Sequence, residues 1–176
     1  MSRDAVRDGI ATYFGGPFDP TTRTYRPGPL LLYGLATVRA YVPKVAPDTD
    51  YSVGLPAGRA MGAYAVVHLG DTIERRVAIG GPTSGWKHRL YGVTLHVYHL
   101  AQTALAEDAQ ADLDLLLEQV SARIHADRTL GGVVLQAGES TAGIRTTIGT
   151  PSYDKGSEHI RTYASVSFDA DVYLEA

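Results

Sequence analysis

Six histidines are the side chains in this sequence that could most readily bind a metal ion. His96 and His99 lie three residues apart, but they fall in a predicted strand, where that spacing places two side chains on opposite faces. The other four have no neighbours in the sequence with which they could share an ion: His68, His88, His125 and His159. We therefore predict no metal site and interpret all six as surface or interface histidines.

Two glycine-rich segments resemble known functional motifs without completing them. Gly80 and Gly85 have the spacing of a phosphate-binding loop, but Trp86 stands where that loop requires Lys, and a strand follows where it requires a helix. The segment 138–143 contains Ser140, but a nucleophile elbow needs glycine at the position of Ala142. Both segments are interpreted as loops, so the sequence indicates no cofactor and no catalytic group.

Two carboxylates, Asp169 and Asp171, share one face of the last predicted strand. Such a pair can serve acid–base chemistry or hold a cation, but without a third carboxylate it is more typical of a solvated or interface face. Arg161 and Tyr173 lie on the same face. Trp86, the sole tryptophan, either anchors an interface or folds back onto its own domain. These five residues are the candidate subunit or ring interface.

Length and composition narrow the class of protein. The chain has 176 residues and a mass of 18.8 kDa, which predicts a single domain over residues 1–176. Cysteine is absent, which excludes disulfide scaffolds, thiolate metal sites and cysteine nucleophiles. A net charge of −3 argues against a nucleic-acid-binding surface. No apolar run reaches the roughly 18 residues of a membrane span, and the first residues lack the apolar segment of a secretory signal.

Apolar residues at helical spacing predict two helices. The first runs from Ser2, which can cap it, to Phe14. The second runs from Leu105 to Ala126, with acidic residues in its N-terminal half and basic residues at its end, as the helix dipole favours. One apolar stripe follows this second helix: Leu105, Leu113, Leu116, Leu117, Val120 and Ile124.

Alternation of apolar and polar residues predicts the strands. Two of them, 63–69 and 72–79, are predicted to form a hairpin around a turn at Gly70-Asp71. Further strands are expected at 88–100, at 133–137 and, briefly, near 144–148, whereas 30–45 fits a helix or a strand. The last strand, of about 15 residues over 160–174, has apolar even positions and polar odd positions.

These elements predict an α+β fold, with a mostly antiparallel sheet packed on one face by the long helix. Long loops are expected at 17–29, 46–62 and 138–156. The last two carry little apolar material, so we expect neighbouring subunits to order them.

The order of these elements resembles a known family. Residues 124–133 form the end of the long helix and the segment after it. A polar loop and a closing strand from Glu158 to Val172 follow them. The hairpin and strand of 63–100 lie upstream. Together they look like the tail terminator proteins of long-tailed (siphovirus-like) bacteriophages. The similarity covers residues 1–176 in element order, and its specific part is confined to about residues 105–172.

The resemblance implies a structural virion protein that assembles with itself into a ring, a hexamer in that family. Such a ring sits on the last ring of tail tube protein, ends tube polymerisation and presents a surface to the neck or head-completion protein. Double-stranded DNA would pass through its lumen without specific binding. The implied location is the head-proximal end of the virion tail, and the host cytoplasm during assembly. The family offers no catalytic residues to transfer.

Two other interpretations stay open at this point. The proline- and glycine-rich segments 15–29 and 46–62 depart from the family pattern and favour a neck protein, the head-to-tail connector that joins portal to tail. A hydrolase using Asp169 and Asp171 is a third class, which a concave pocket around both carboxylates would favour.

Overall fold

The structure, a computed structural model, describes residues 1–22, 24–42, 51–52, 54–55, 61–77, 85–101, 106–153 and 160–175. These ranges contain the helices α1 (Arg3–Phe14) and α2 (Ala106–Ala126) and a 3-10 turn at Leu31–Tyr33. They also contain nine strands: β1 (Phe18–Asp19), β2 (Thr24–Tyr25), β3 (Leu35–Arg39), β4 (Met61–Arg76), β5 (Trp86–Ala101), β6 (Gln136–Ala137), β7 (Arg145–Ile148), β8 (Ser152–Tyr153) and β9 (Ile160–Glu175). The α+β class is confirmed.

Three strands of 16 residues each, β4, β5 and β9, form the centre of the sheet. At about 3.3 Å per residue each is about 50 Å long. The central strand β5 pairs antiparallel with β9 along its whole length and with β4 along nearly all of it, while β3 lies parallel to one end of β4. The predicted loop at 17–29 contains β1 and β2, a small antiparallel ribbon separate from the main sheet.

Both helices pack on one face of the sheet, which we call the helix-covered face. It carries the odd positions of β5, such as Val93 and Leu95, and the even positions of β9, such as Val166 and Phe168, all buried. The stripe of α2 packs into the same core, as predicted, at Leu113, Leu116, Leu117, Val120 and Ile124. Leu105, predicted as its first member, lies outside the described residues.

Specific contacts fix the first helix. Ser2 Oγ accepts a hydrogen bond of 3.2 Å from the Ala5 N–H, which confirms the predicted cap. At the other end of α1, Tyr13 donates to the Arg123 carbonyl at 2.8 Å, and the Arg123 guanidinium returns bonds to the Tyr13 carbonyl. That guanidinium also lies 4.2 Å above the Tyr13 ring, so the ends of α1 and α2 are locked together.

The segment after α2 is an ordered turn built on Asp127. Its carboxylate accepts hydrogen bonds from the Thr129 hydroxyl at 2.6 Å and from the N–H groups of Thr129 and Gly131 at 2.9 and 2.8 Å. These bonds, the Thr129 hydroxyl first, hold the pKa of the Asp127 carboxyl below its usual range. Gly131 and Gly132 have φ of 73° and 83°, a conformation that glycine adopts without strain.

The predicted hairpin around Gly70-Asp71 is wrong. The chain continues straight through this dipeptide as part of β4, and a β-bulge replaces the turn. Three residue steps, from Leu69 to Thr72, oppose two steps from Val93 to Tyr91 on β5. The glycine and short polar residue typical of a turn also suit a bulge. Since β5 offers a partner to both halves of β4, one long strand replaces two short ones.

The expectation that neighbouring subunits order the loop 138–156 is wrong for residues 138–153. Here β7 and β8, together with the preceding β6, pair antiparallel with the outer edge of β9. The brief strand predicted near 144–148 is confirmed as β7.

The segment 30–45, which fits a helix or a strand in the sequence, forms the 3-10 turn and β3. Most of the predicted loops at 46–62 and 80–84, and residues 154–156, lie outside the described residues. None of the described helices is long and apolar enough to cross a membrane.

Candidate assembly interface

The sheet face that neither helix covers, here called the helix-free face, carries all five candidate interface residues. It consists of the even positions of β5 and the odd positions of β9, and of β4 positions that change from even to odd at the bulge. Most of its side chains are polar or aromatic and partly exposed, whereas those of the helix-covered face are apolar and buried. The alternation predicted for the last strand is therefore confirmed.

The two aromatic candidates lie together at one end of this face. Trp86 pairs with Glu175 and His88 pairs with Tyr173, so Trp86 and Tyr173 are diagonal neighbours on adjacent strands. Ile73 lies opposite Leu90, and the Val77 N–H donates a 2.9 Å hydrogen bond to the Trp86 carbonyl. We call residues 72–77, 86–90 and 171–175 the distal end.

The distal end exposes large apolar side chains. Trp86, Tyr173, Ile73 and Val77 each expose between 42% and 55% of their surface. Trp86 therefore does not fold back fully onto its own domain. The opposite side of the distal end is charged instead, because Glu74 pairs with Arg89 at 2.5 Å and with Lys87 at 3.4 Å. The hydrogen bond from Arg89 is the main reason why the pKa of the Glu74 carboxyl lies below its usual range.

Asp171 is held by contacts within the chain. His88 Nε2 donates to one carboxylate oxygen at 2.6 Å, and the Gln136 amide donates to the other at 2.6 Å. The His88 ring also stacks on Tyr173 with 5.1 Å between ring centroids. Only 15% of the Asp171 side chain is exposed, so this carboxylate positions His88 and Tyr173 at the distal end and joins β6 to the sheet.

The other two candidates lie apart from this network. Asp169 lines an open cleft of about 540 Å³, whose floor lies at the bulge, where Gly70 and Gly92 have no side chains to fill it. Asp171 is not among the lining residues, so the two carboxylates do not face a common space. Arg161 is exposed near the other end of β9, about 40 Å from Tyr173 at about 3.3 Å per residue.

A row of aromatic and imidazole rings crosses the middle of the helix-free face, which the sequence did not reveal. Tyr64 stacks on Tyr98 with 4.9 Å between centroids, and Tyr98 lies 5.5 Å from Tyr163. The Tyr163 hydroxyl lies 2.5 Å from His96 Nδ1, and the His96 ring is 5.7 Å from that of His68. His68 and His88 have no ligand-like neighbours in the sequence, but the pairing of strands brings His96 beside His68 and Asp171 beside His88.

The histidines at 96 and 99 lie on opposite faces, as predicted. His99 is fully buried on the helix-covered face, where desolvation lowers its pKa from 6.5 to about 4. His96 is partly exposed on the helix-free face, and burial, with a smaller effect of His68, lowers its pKa as well. The His99 ring is therefore neutral at pH 7.

Neither known protein families nor curated proteins identify the chain: no family model and no curated sequence matches it.

Proposed function

We propose that this protein is a structural virion component, a tail terminator that forms a homo-oligomeric ring, a hexamer as in the family it resembles. The ring caps the tail tube, ends polymerisation of tail tube protein and presents its other side to a neck or head-completion protein. It works at the head-proximal end of the tail and assembles in the host cytoplasm. The observation that carries the proposal is the distal end, where Trp86, Tyr173, Ile73 and Val77 are exposed.

The exposed aromatic and aliphatic side chains of the distal end have the properties of protein–protein contact residues. Arg75, His88 and Asp171 lie among them on the same face. An exposed tryptophan and tyrosine beside polar groups are typical of interface anchors. The Asp171 network fixes His88 and Tyr173 in place, which lowers the entropy cost of binding.

The edge of the sheet supports contact between copies of the chain. Among the described residues, β3 covers β4 only from Ala63 to Val66, and Arg3 of α1 binds the carbonyls of Leu69 and Gly70. No described strand pairs with this edge of β4 beyond the bulge. An edge with unpaired backbone groups recruits another strand. A ring needs a head-to-tail contact, so this edge of one copy would meet a different surface of the next copy.

The charge of the chain suits the lumen of such a ring. The net charge is −3, and DNA binding requires clustered cations that neutralise phosphates. We propose that double-stranded DNA passes through without specific binding.

The first test is the mass of the purified chain, alone and mixed with the tail tube protein of the same virus, by native mass spectrometry. We expect a closed ring that binds tube ends and stops their growth. A ring that binds the portal side and ignores tubes would assign the chain to the neck instead. A chain that stays monomeric with either partner contradicts both assignments.

The second test uses matched variants of exposed tyrosines. Tyr173→Ser at the distal end is expected to impair ring formation. Tyr41→Ser, which removes a similarly exposed ring outside the sheet, is expected to leave it intact. Equal effects of the two substitutions would remove the distal end from the interface.

A further inference from the structure

Two imidazole rings lie side by side in the middle of the helix-free face. His68 of β4 and His96 of β5 have ring centroids 5.7 Å apart, with 52° between the ring planes. His68 is exposed, His96 is partly exposed, and His68 lines the cleft at the bulge, so solvent reaches the pair. We propose that His68 and His96 together bind one divalent ion of the imidazole-preferring class, of which Zn²⁺ is the type.

The spacing of the two rings is that of a shared ion. Zn²⁺ binds an imidazole nitrogen at about 2.0–2.1 Å, so an ion held between two rings keeps their centroids about 5 to 6 Å apart. The observed 5.7 Å falls in this range. The backbones of β4 and β5 hold that distance, because Val66 pairs with His96 and Thr94 pairs with His68.

The orientation of His96 is set by Tyr163 of β9. The Tyr163 hydroxyl contacts His96 Nδ1 at 2.5 Å. In the strand register, Tyr163 and His68 lie on opposite sides of His96, along one diagonal across three strands. Because Tyr163 engages Nδ1, the nitrogen of His96 that is left for an ion is Nε2. Ligating histidines commonly use their second nitrogen in this way, to bond a group that fixes the ring.

The site offers two protein ligands. Among the described residues, no three His, Asp or Glu side chains are close enough to hold an ion. Water from the open cleft completes the coordination, and the carboxylates of Asp71 and Asp169 line that cleft. We therefore expect an exchangeable ion of modest affinity that joins β4 to β5 beside the bulge, in contrast to a buried structural zinc.

The test is calorimetric titration of Zn²⁺ into the full chain, prepared without a histidine tag and freed of metal. One ion is expected to bind per chain and to raise the melting temperature. His68→Asn changes an exposed residue and is expected to abolish this binding in a folded protein. Tyr163→Phe removes one hydroxyl and is expected to weaken Zn²⁺ binding about 10-fold.

The control is His125→Asn, which changes an exposed histidine at the end of α2 and should leave Zn²⁺ binding unchanged. Zn²⁺ binding that persists in His68→Asn, or no binding to the unaltered chain, overturns the proposal. Competition by Mg²⁺ at equal concentration also overturns it, because that ion prefers oxygen ligands and would indicate the carboxylates as the site.

Discussion

The two faces of the central strands have the same backbone and opposite chemistry. On the helix-covered face, apolar side chains of β5 and β9 pack against α2 and are fully buried. On the helix-free face, many of the intervening residues form hydrogen bonds and ring contacts with one another and stay partly exposed, whereas Tyr64, Val66 and Leu100 are buried with Tyr51. Burial of apolar surface supplies most folding free energy, so we expect substitutions on the first face to affect stability and those on the second to affect binding.

The largest effect on stability is expected from Leu116→Ala. Leu116 has no exposed surface and packs in the core between α2 and the sheet, so its truncation should cost about 2–5 kcal/mol through lost burial and the cavity left behind. Leu115→Ala, one residue earlier on the exposed side of α2, should cost less than about 0.5 kcal/mol. Urea denaturation of both variants measures the difference, and similar midpoints would mean that α2 does not cover this face.

Acid is expected to lower the stability of the fold about as much as Leu116→Ala does, through protonation of His99. Burial lowers the pKa of His99 in the folded state from 6.5 to about 4. Between these two pH values, the unfolded state binds a proton at His99 and the folded state does not. His99 does not lower the free energy of unfolding above pH 6.5. As the pH falls from 6.5 to about 4, protonation of His99 in the unfolded state lowers that free energy by on the order of 3 kcal/mol. His99→Gln, which cannot titrate, should flatten the dependence of unfolding free energy on pH in this window. An unchanged slope would assign the acid sensitivity to other groups.

An intermediate effect is expected within the helix-free face itself. Asp171→Lys removes the acceptor of His88 and Gln136 at a mostly buried position and should cost about 1–3 kcal/mol. Asp169→Lys, on the open cleft, should fold with nearly unchanged stability. The double variant with Asp169→Lys and Asp171→Lys is therefore expected to destabilise the monomer. Thermal melting of the two single variants separates these roles.

The smallest effect on stability and the largest on assembly are expected from Trp86→Ala. About half of the Trp86 side chain is already exposed, so its loss should change the unfolding free energy by less than about 1 kcal/mol. The same substitution should prevent ring closure, giving tails of uncontrolled length or tails that fail to join heads. Rings of normal mass from a stable Trp86→Ala chain would show that this end of the sheet is not the contact.

Local patterns in the sequence predicted most elements but not their neighbours. The helical stripe around Leu116 and the alternation along β9 identified the core, because each period reports which side of one element is buried. Pairing between strands depends on register over long sequence separations, so the contacts between His88 and Asp171 and between His68 and His96 could not be predicted. The turn predicted at Gly70-Asp71 is wrong for the same reason, because β5, the strand that pairs with both halves of β4, lies further along the chain.

One extra residue at the bulge determines which side chains of the last part of β4 point to which face. Before Leu69 the even positions face away from the helices, and from Thr72 onward the odd positions do. A regular strand of the same sequence would turn Ile73 toward the helices and bring Glu74 and Arg76 to the helix-free face. Loss of the codon for Asp71 would remove the extra residue and keep Thr72 opposite Tyr91, so every later side chain of β4 would stay on its present face. The bulge is therefore the place where this strand can lose a residue without exchanging its two surfaces.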